Sequence, residues 1–307
     1  MIRVCFIGSC GHSFQAYNYL KTRDDIEFCG YARGSEYENL SCPFDKSIKV
    51  FEDYSEMLDE INPDLAIVSP VFGLTGKIII ECADRKIDVF AEKPIAATLE
   101  ELQRVKTAVI DNKIRFSAMH YLRFDPAFYH GAKLVHEGKI GEIKMITAQK
   151  SYRYGVRPEW YKNKELYVGT IAWVGIHAID WISYFSGKKF ISASSKCVGE
   201  NPEMAAICNF ELEDGIIASA NIDYYRPNNI KTHGDDRVRC VGTKGILEVR
   251  DGKILLMNQD GESEITPDKA PELLEEFLSG KDIISAEEIF HITETALKSQ
   301  TGDGSVS

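Results

Sequence analysis

The chain has 307 residues, 44% hydrophobic and 27% charged, enough for two packed domains without disulfide or metal staples. A formal net charge of −11 argues against non-specific binding to nucleic acid or to an anionic membrane surface. No run approaches 18 consecutive apolar residues, and none of the eight cysteines (Cys5, Cys10, Cys29, Cys42, Cys82, Cys197, Cys208, Cys240) forms a C-x-x-C pair, so a cytoplasmic protein with free thiols, no membrane span and no metal site is expected.

In chain order, Ile2–Ile7 reads as a buried strand, its apolar run Val4–Ile7 too short for a signal-peptide core and leading directly into a glycine turn. His12–Thr22 reads as a helix, Ile26–Ala32 as a strand, Ser55–Ile61 as a helix and Leu65–Ser69 as a strand. Gly76–Arg85 (helix), Ile87–Ala91 (strand), Leu99–Ile110 (helix) and Ile114–Met119 (strand) follow. Strands separated by helices imply right-handed crossovers and a parallel sheet. After residue 120 the pattern changes. Phe124–Glu137 reads as one helix, and from Glu142 onward the chain alternates as strands do: Met145–Ala148, Ala205–Leu212, Gly215–Ile222, Arg237–Val241, Ile246–Val249 and Lys253–Met257. Tight turns at Asp214-Gly215, Thr243-Lys244-Gly245 and Asp251-Gly252 imply a mostly antiparallel sheet. An apolar helix, Ile171–Phe185, interrupts this half. Glu272–Phe277 reads as a solvated helix face, Ala286–Lys298 as the last helix, and the polar end beyond it as a fraying tail.

The first strand leads into Ile7-Gly8-Ser9-Cys10-Gly11-His12-Ser13, where a dinucleotide-binding fold places its phosphate turn and offers the free N–H groups of a helix N-terminus to a pyrophosphate. The G-x-G-x-x-G pattern is degenerate: Cys10 replaces the second glycine and Ser13 the third, with Gly11 restoring backbone freedom. Gly8, Ser9, Cys10, Gly11, His12 and Ser13 are the candidate contacts, an ordinary strand–turn–helix being the alternative. The second strand ends in Tyr31-Ala32-Arg33-Gly34-Ser35. An acidic residue there would hold the ribose hydroxyls of NAD. Arg33 and Ser35 instead suit a 2′-phosphate, so NADP is favoured over NAD, with a solvated surface arginine as the alternative. Ser69 and Pro70 follow the next strand, and Glu92-Lys93-Pro94 the one after. Both segments stand at strand C-terminal ends, where ligands bind such sheets, and Pro94 is a candidate cis-proline.

Five segments together resemble the Gfo/Idh/MocA family of sugar and polyol dehydrogenases. Glu92-Lys93-Pro94 resembles its E-K-P signature and Arg123-Phe124-Asp125-Pro126 its R-F-x-P stretch. Glu137-Gly138-Lys139-Ile140-Gly141-Glu142-Ile143 resembles its G-x-I-G-x-I turn, Gly175-Ile176-His177-Ala178-Ile179-Asp180 its G-x-H-x-x-D motif, and Val241-Gly242-Thr243-Lys244-Gly245 its late turn. The resemblance implies an α/β chain: a Rossmann dinucleotide-binding domain over 1–119, then an α+β substrate and oligomerisation domain over 120–307 with an open, mostly antiparallel sheet. The helix near 286–298 would return to the first domain. It also implies NADP- or NAD-dependent interconversion of a hydroxyl and a carbonyl, with Lys93 hydrogen-bonding the reacting hydroxyl, His177 as general acid/base and Asp180 as a substrate-hydroxyl ligand, in a homodimer or homotetramer.

The residues themselves say part of this. His177 and Asp180 are the polar exceptions on an otherwise apolar helix and share one face, so that face is expected to look into a polar cleft. An imidazole suits proton exchange near neutral pH. One departure stands out. Many members of the family carry an aspartate four residues before this histidine, and here that place is Trp173, which can stack on a ring but cannot orient or charge-stabilise the imidazole. Tyr152 to Tyr161 gathers tyrosines, Trp160 and two arginines, a composition suited to a sugar or an acidic sugar, with Arg157 and Trp160 as its candidate ligands. The other histidines lack metal-ligand spacing, His120 standing where the two halves join. Two further readings compete with the oxidoreductase: a catalytically degenerate dinucleotide-binding sensor, and a glycosidase that uses transient NAD oxidation.

Overall fold

In the computed structural model, which describes residues 1–200 and 202–306, the chain divides into two units. The first gathers Met1–Met119, Glu165–Val168 and Leu273–Thr293. The second gathers His120–Lys164, Gly169–Glu272 and the chain from Glu294 onward.

The first unit is built on β1 (Ile2–Ile7), α1 (Ser13–Leu20), β2 (Ile26–Ala32), β3 (Val50–Phe51), α2 (Tyr54–Ile61), β4 (Leu65–Val68), α3 (Thr75–Asp84), β5 (Asp88–Ala91), α4 (Leu99–Asn112) and β6 (Phe116–Ala118). The strands form a parallel sheet in the order β3-β2-β1-β4-β5-β6. All four residues of β4 and the last four of β1 are buried, as strands covered on both faces must be. The helices start where local chemistry favours it: Asp53 accepts from the Glu56 amide and Thr98 from the Glu101 amide, each satisfying an otherwise free N–H. The order changes direction at β1 and β4, so the turns after these strands form the topological switch point.

The second unit opens with a 3₁₀ turn over Tyr121–Phe124 and α5 (Pro126–His136). The single helix expected over Phe124–Glu137 is therefore interrupted at Asp125. Its extended backbone and side chain, accepting from the Ala127 amide, start a new helix with Pro126 in the first turn. There follow β7 (Ile143–Tyr152), α6 (Lys164–Tyr167, part of the first unit apart from its first residue), α7 (Ile176–Ser186), β8 (Phe190–Val198), β9 (Ala205–Leu212), β10 (Ile216–Asp223), β11 (Gly234–Gly242), β12 (Gly245–Arg250), β13 (Lys253–Asn258) and β14 (Gly261–Ile265). Last come α8 (Leu273–Leu278) and α9 (Ala286–Thr301), which belong to the first unit as far as Thr293, and then β15 (Asp303–Ser305). Among the described residues the sheet has nine strands in the order β14-β13-β12-β11-β7-β10-β9-β8-β15. All its pairings are antiparallel except β7 with β10, which are parallel.

Three sequence expectations change, and one apolar stretch is placed by its burial. The tail does not fray at residue 299: α9 continues to Thr301, and β15 adds to the edge strand β8. The segment at Glu272–Phe277 is half-buried, because Leu273, Leu274 and Phe277 turn inward and the Phe277 ring lies 5.6 Å from that of Phe90. The apolar helix is not regular, since a π-helical turn over Ile171–Gly175 precedes α7. Finally, the helical stretch Lys164–Ser186 is long and apolar enough to cross a membrane by length and composition, but 89% of that window is buried inside the fold, which makes it core.

Candidate active site

At the C-terminal end of β1, Gly8 has φ +78° and would place a Cβ 2.5 Å from the Ser69 carbonyl and 2.6 Å from Pro70 Cα. A side chain there would drive the two switch-point loops apart. Ser69 and Pro70 thus frame the turn: Ser69 accepts from the Cys10 amide at 2.8 Å and its hydroxyl donates to the Cys10 carbonyl. Gly11 has φ +60° and lies so close to Glu92 that a Cβ would overlap its carboxylate. Glu92 is fully buried and accepts from the amide of His12, from His12 Nδ1 at 3.0 Å and from the Lys93 amide at 2.9 Å. Burial alone would raise its pKa, but His12 and Lys93 outweigh that and hold the carboxyl below the usual range. Lys93 is itself buried, and its bond to Pro94 is cis.

A dinucleotide fits this turn on one observation. The amides of Gly11, Ser13 and Phe14 make no hydrogen bond among the described residues, and the buried Ser13 hydroxyl has no partner either. Donors gathered at a helix N-terminus are a natural cradle for a pyrophosphate.

Beyond the end of β2, the residues expected at a 2′-phosphate have other surroundings. Arg33 is half-exposed and makes no hydrogen bond or ion pair among the described residues. Ser35, expected beside it on a 2′-phosphate, donates instead to Glu38 Oε1 at 3.2 Å. The same carboxylate accepts from the Val71 amide at 3.1 Å and the Ser9 amide at 3.2 Å. Burial pushes its pKa up, only partly offset by these donors. An acidic group therefore does stand over the phosphate turn. Sequence reasoning missed it because it comes six residues after the strand, from a loop that folds back.

In the second unit, Trp173 lies in the π-helical turn and His177 and Asp180 in the first two turns of α7, all buried. Asp180, expected as a substrate-hydroxyl ligand, is already paired within the fold. Its Oδ1 accepts from Arg123 Nη2 at 2.6 Å, Arg123 Nε lies 3.2 and 3.3 Å from its two oxygens, and His120 Nδ1 is 3.5 Å from Oδ1. Burial raises the Asp180 pKa, while Arg123 and His120 outweigh it and hold the carboxyl below the ordinary range. Arg123 was legible as a motif residue but not as the partner of Asp180, a pairing across 57 residues of sequence.

Arg157 also finds an aromatic setting. Its guanidinium carbon lies 5.3 Å from the Tyr161 ring, 5.9 Å from Tyr224 and 6.0 Å from Tyr154, and its buried Nε has no hydrogen-bond partner among the described residues. Trp160 is buried against Tyr161, ring centroids 4.5 Å apart. A guanidinium held between rings with an unspent donor suits a hydroxyl or carboxylate ligand. No cluster of metal-ligating side chains occurs among the described residues.

Comparison with known proteins agrees with this architecture. Residues 2–120 match the model of the oxidoreductase family with an NAD-binding Rossmann fold, and residues 130–248 that of the GFO/IDH/MocA C-terminal domain. The NADP-dependent scyllo-inositol 2-dehydrogenase IolW of Bacillus subtilis is 27% identical over 54% of the chain, and the NAD-dependent scyllo-inositol 2-dehydrogenase of the same organism 26% identical over 71%. The matches span 47% and 65% of those two enzymes. A Thermotoga maritima structure, from a protein named only provisionally as an oxidoreductase, is 39% identical, covers 98% of this chain and 97% of its own, and superposes with a TM-score of 0.92.

Proposed function

Because the chain belongs to the Gfo/Idh/MocA oxidoreductase family, we propose that it interconverts a hydroxyl and a carbonyl on a sugar, polyol or sugar acid, using a nicotinamide dinucleotide. The observation that carries the reading is the α1 N-terminus, with its three unspent amides and the partnerless Ser13 hydroxyl. The dinucleotide, when bound, exchanges the hydride. The rest falls to the chain. The turn Gly8–Ser13, with Ser69 and Pro70, holds the pyrophosphate. Lys93 hydrogen-bonds the reacting hydroxyl, and His177 exchanges a proton with it. Arg157 and Trp160 grip the sugar ring or its carboxylate, and Trp173 offers an apolar face. Asp180 acts through Arg123 rather than on the substrate.

Glu38 turns the cofactor expectation from NADP toward NAD. A carboxylate over the turn favours ribose hydroxyls and repels a 2′-phosphate, whatever Arg33 contributes. Polyol specificity is supported by the two scyllo-inositol dehydrogenases among the relatives. A cytoplasmic location accords with the free cysteines.

The test is a fluorescence titration of nucleotide-free protein with NADH and NADPH, followed by turnover on a panel of inositols, aldoses and sugar acids. Tighter NADH binding and turnover that His177→Ala abolishes, with cofactor binding retained, are expected. A folded protein that binds neither cofactor would end the oxidoreductase reading. Binding without turnover would favour a dinucleotide sensor, the reading to which Trp173 gives weight.

A further inference from the structure

Asp180 faces two partners, and the second of them has no assigned task. His120 is fully buried, its Nδ1 lies 3.5 Å from Asp180 Oδ1 as an ion-pair contact, and neither of its ring nitrogens has a hydrogen-bond partner among the described residues. A buried polar nitrogen left unpaired is unfavourable, because water satisfied it in the unfolded chain, and such groups are retained where a ligand or a proton uses them. Asp180 lies one turn beyond His177 on α7, so its contact holds His120 against the helix that carries the proposed acid/base. Trp173, four residues before His177, brings no carboxylate. A proton accepted by His177 finds no countercharge from that position, whereas a proton on His120 faces a carboxylate kept ionised by Arg123.

We propose that His120, backed by Asp180, is a second proton-carrying imidazole of the reaction and fills the relay role for which position 173 has no carboxylate. The proposal rests on the reading of His177 given above. In oxidation, a bound nicotinamide would supply the hydride acceptor, taking the carbinol hydrogen with both electrons of its broken C–H bond. The substrate O–H bond breaks as the C=O bond forms, and its proton passes to His177 and on to His120 Nε2. His120 holds it as an imidazolium beside Asp180 until solvent takes it. Reduction reverses each transfer.

The experiment starts from wild-type protein turning over a member of the polyol panel with its preferred dinucleotide. Absence of any turnover there would overturn the oxidoreductase reading and the relay with it. Given an active wild type, His120→Asn should lower kcat about 100-fold, with KM and dinucleotide affinity nearly unchanged. Free imidazole in the buffer should restore part of the loss saturably, a response that a packing role does not produce. His120→Gln serves if the asparagine variant does not fold. Independently of turnover, the His120 ring ¹⁵N resonance, assigned by its loss in the variant, should move when the same polyol is added to cofactor-free protein. A kcat within about threefold of wild type, a loss that imidazole leaves untouched, or a ring resonance indifferent to the polyol would each overturn the relay while leaving the oxidoreductase reading intact.

Discussion

Arg33 and Glu38 pose the sharpest question at the level of single residues, because they press the cofactor choice in opposite directions. Arg33 carries an unspent guanidinium, and Glu38 spends its carboxylate on Ser9, Ser35 and Val71. Removing the charge of Glu38 with little change of shape, by Glu38→Gln, should raise NADPH affinity relative to NADH by about tenfold, the scale of one charge–charge contact near a surface. Arg33→Asp should move the ratio the other way, and parallel titrations of both variants with both cofactors measure it. Equal changes for NADH and NADPH would remove these residues from the 2′-phosphate question. Gly8, Lys93 and His177 stand out as candidates in the chain because each sits in a short motif with a fixed spacing. Glu38 does not, because nothing local marks a loop glutamate that will curl back onto a backbone amide.

At the level of elements, α7 and the 3₁₀ turn before α5 are tied by the Arg123–Asp180 pair. Breaking a buried pair from one side leaves an uncompensated charge. Arg123→Met should therefore cost about 3–5 kcal/mol by urea unfolding, with Asp180→Asn on the same background returning part of it. The pH dependence follows the same pair. Asp180 has a folded pKa below its unfolded value of about 3.9, so its contribution is complete above that value and is lost as pH falls through the folded pKa. The slope of stability against pH below about pH 4 should be shallower in Arg123→Met than in wild type. Neither the pairing nor the π-helical turn before His177 was readable from apolar periodicity, which reports that a helix is buried but not which side chain meets which.

Across the whole molecule, the large sheet leaves apolar groups in water. Ile191, Ile207 and Ile217, on the neighbouring strands β8, β9 and β10, are 45–57% exposed while the alternate residues of β9 and β10 are buried in the core. An apolar outward face on a wide sheet is an expected place for a second copy to pack. Light scattering should give a dimer or tetramer, and Ile207→Asp combined with Ile217→Asp should shift it toward the 34.5 kDa monomer. A wild type that is already monomeric would assign this face some other role.

The chain by itself determined the alternation of strand and helix up to residue 119, the antiparallel half that follows, and the family motifs. Each depends on hydrophobic period, turn chemistry or short spacing, which are local properties. Only the tertiary structure decided which partners Asp180 and Ser35 take, that a carboxylate stands over the turn after β1, and that the buried His120 ring beside Asp180 has no hydrogen bond among the described residues. Those outcomes depend on contacts between residues far apart in the chain, where burial forces every polar group to find a partner and the sequence does not say which.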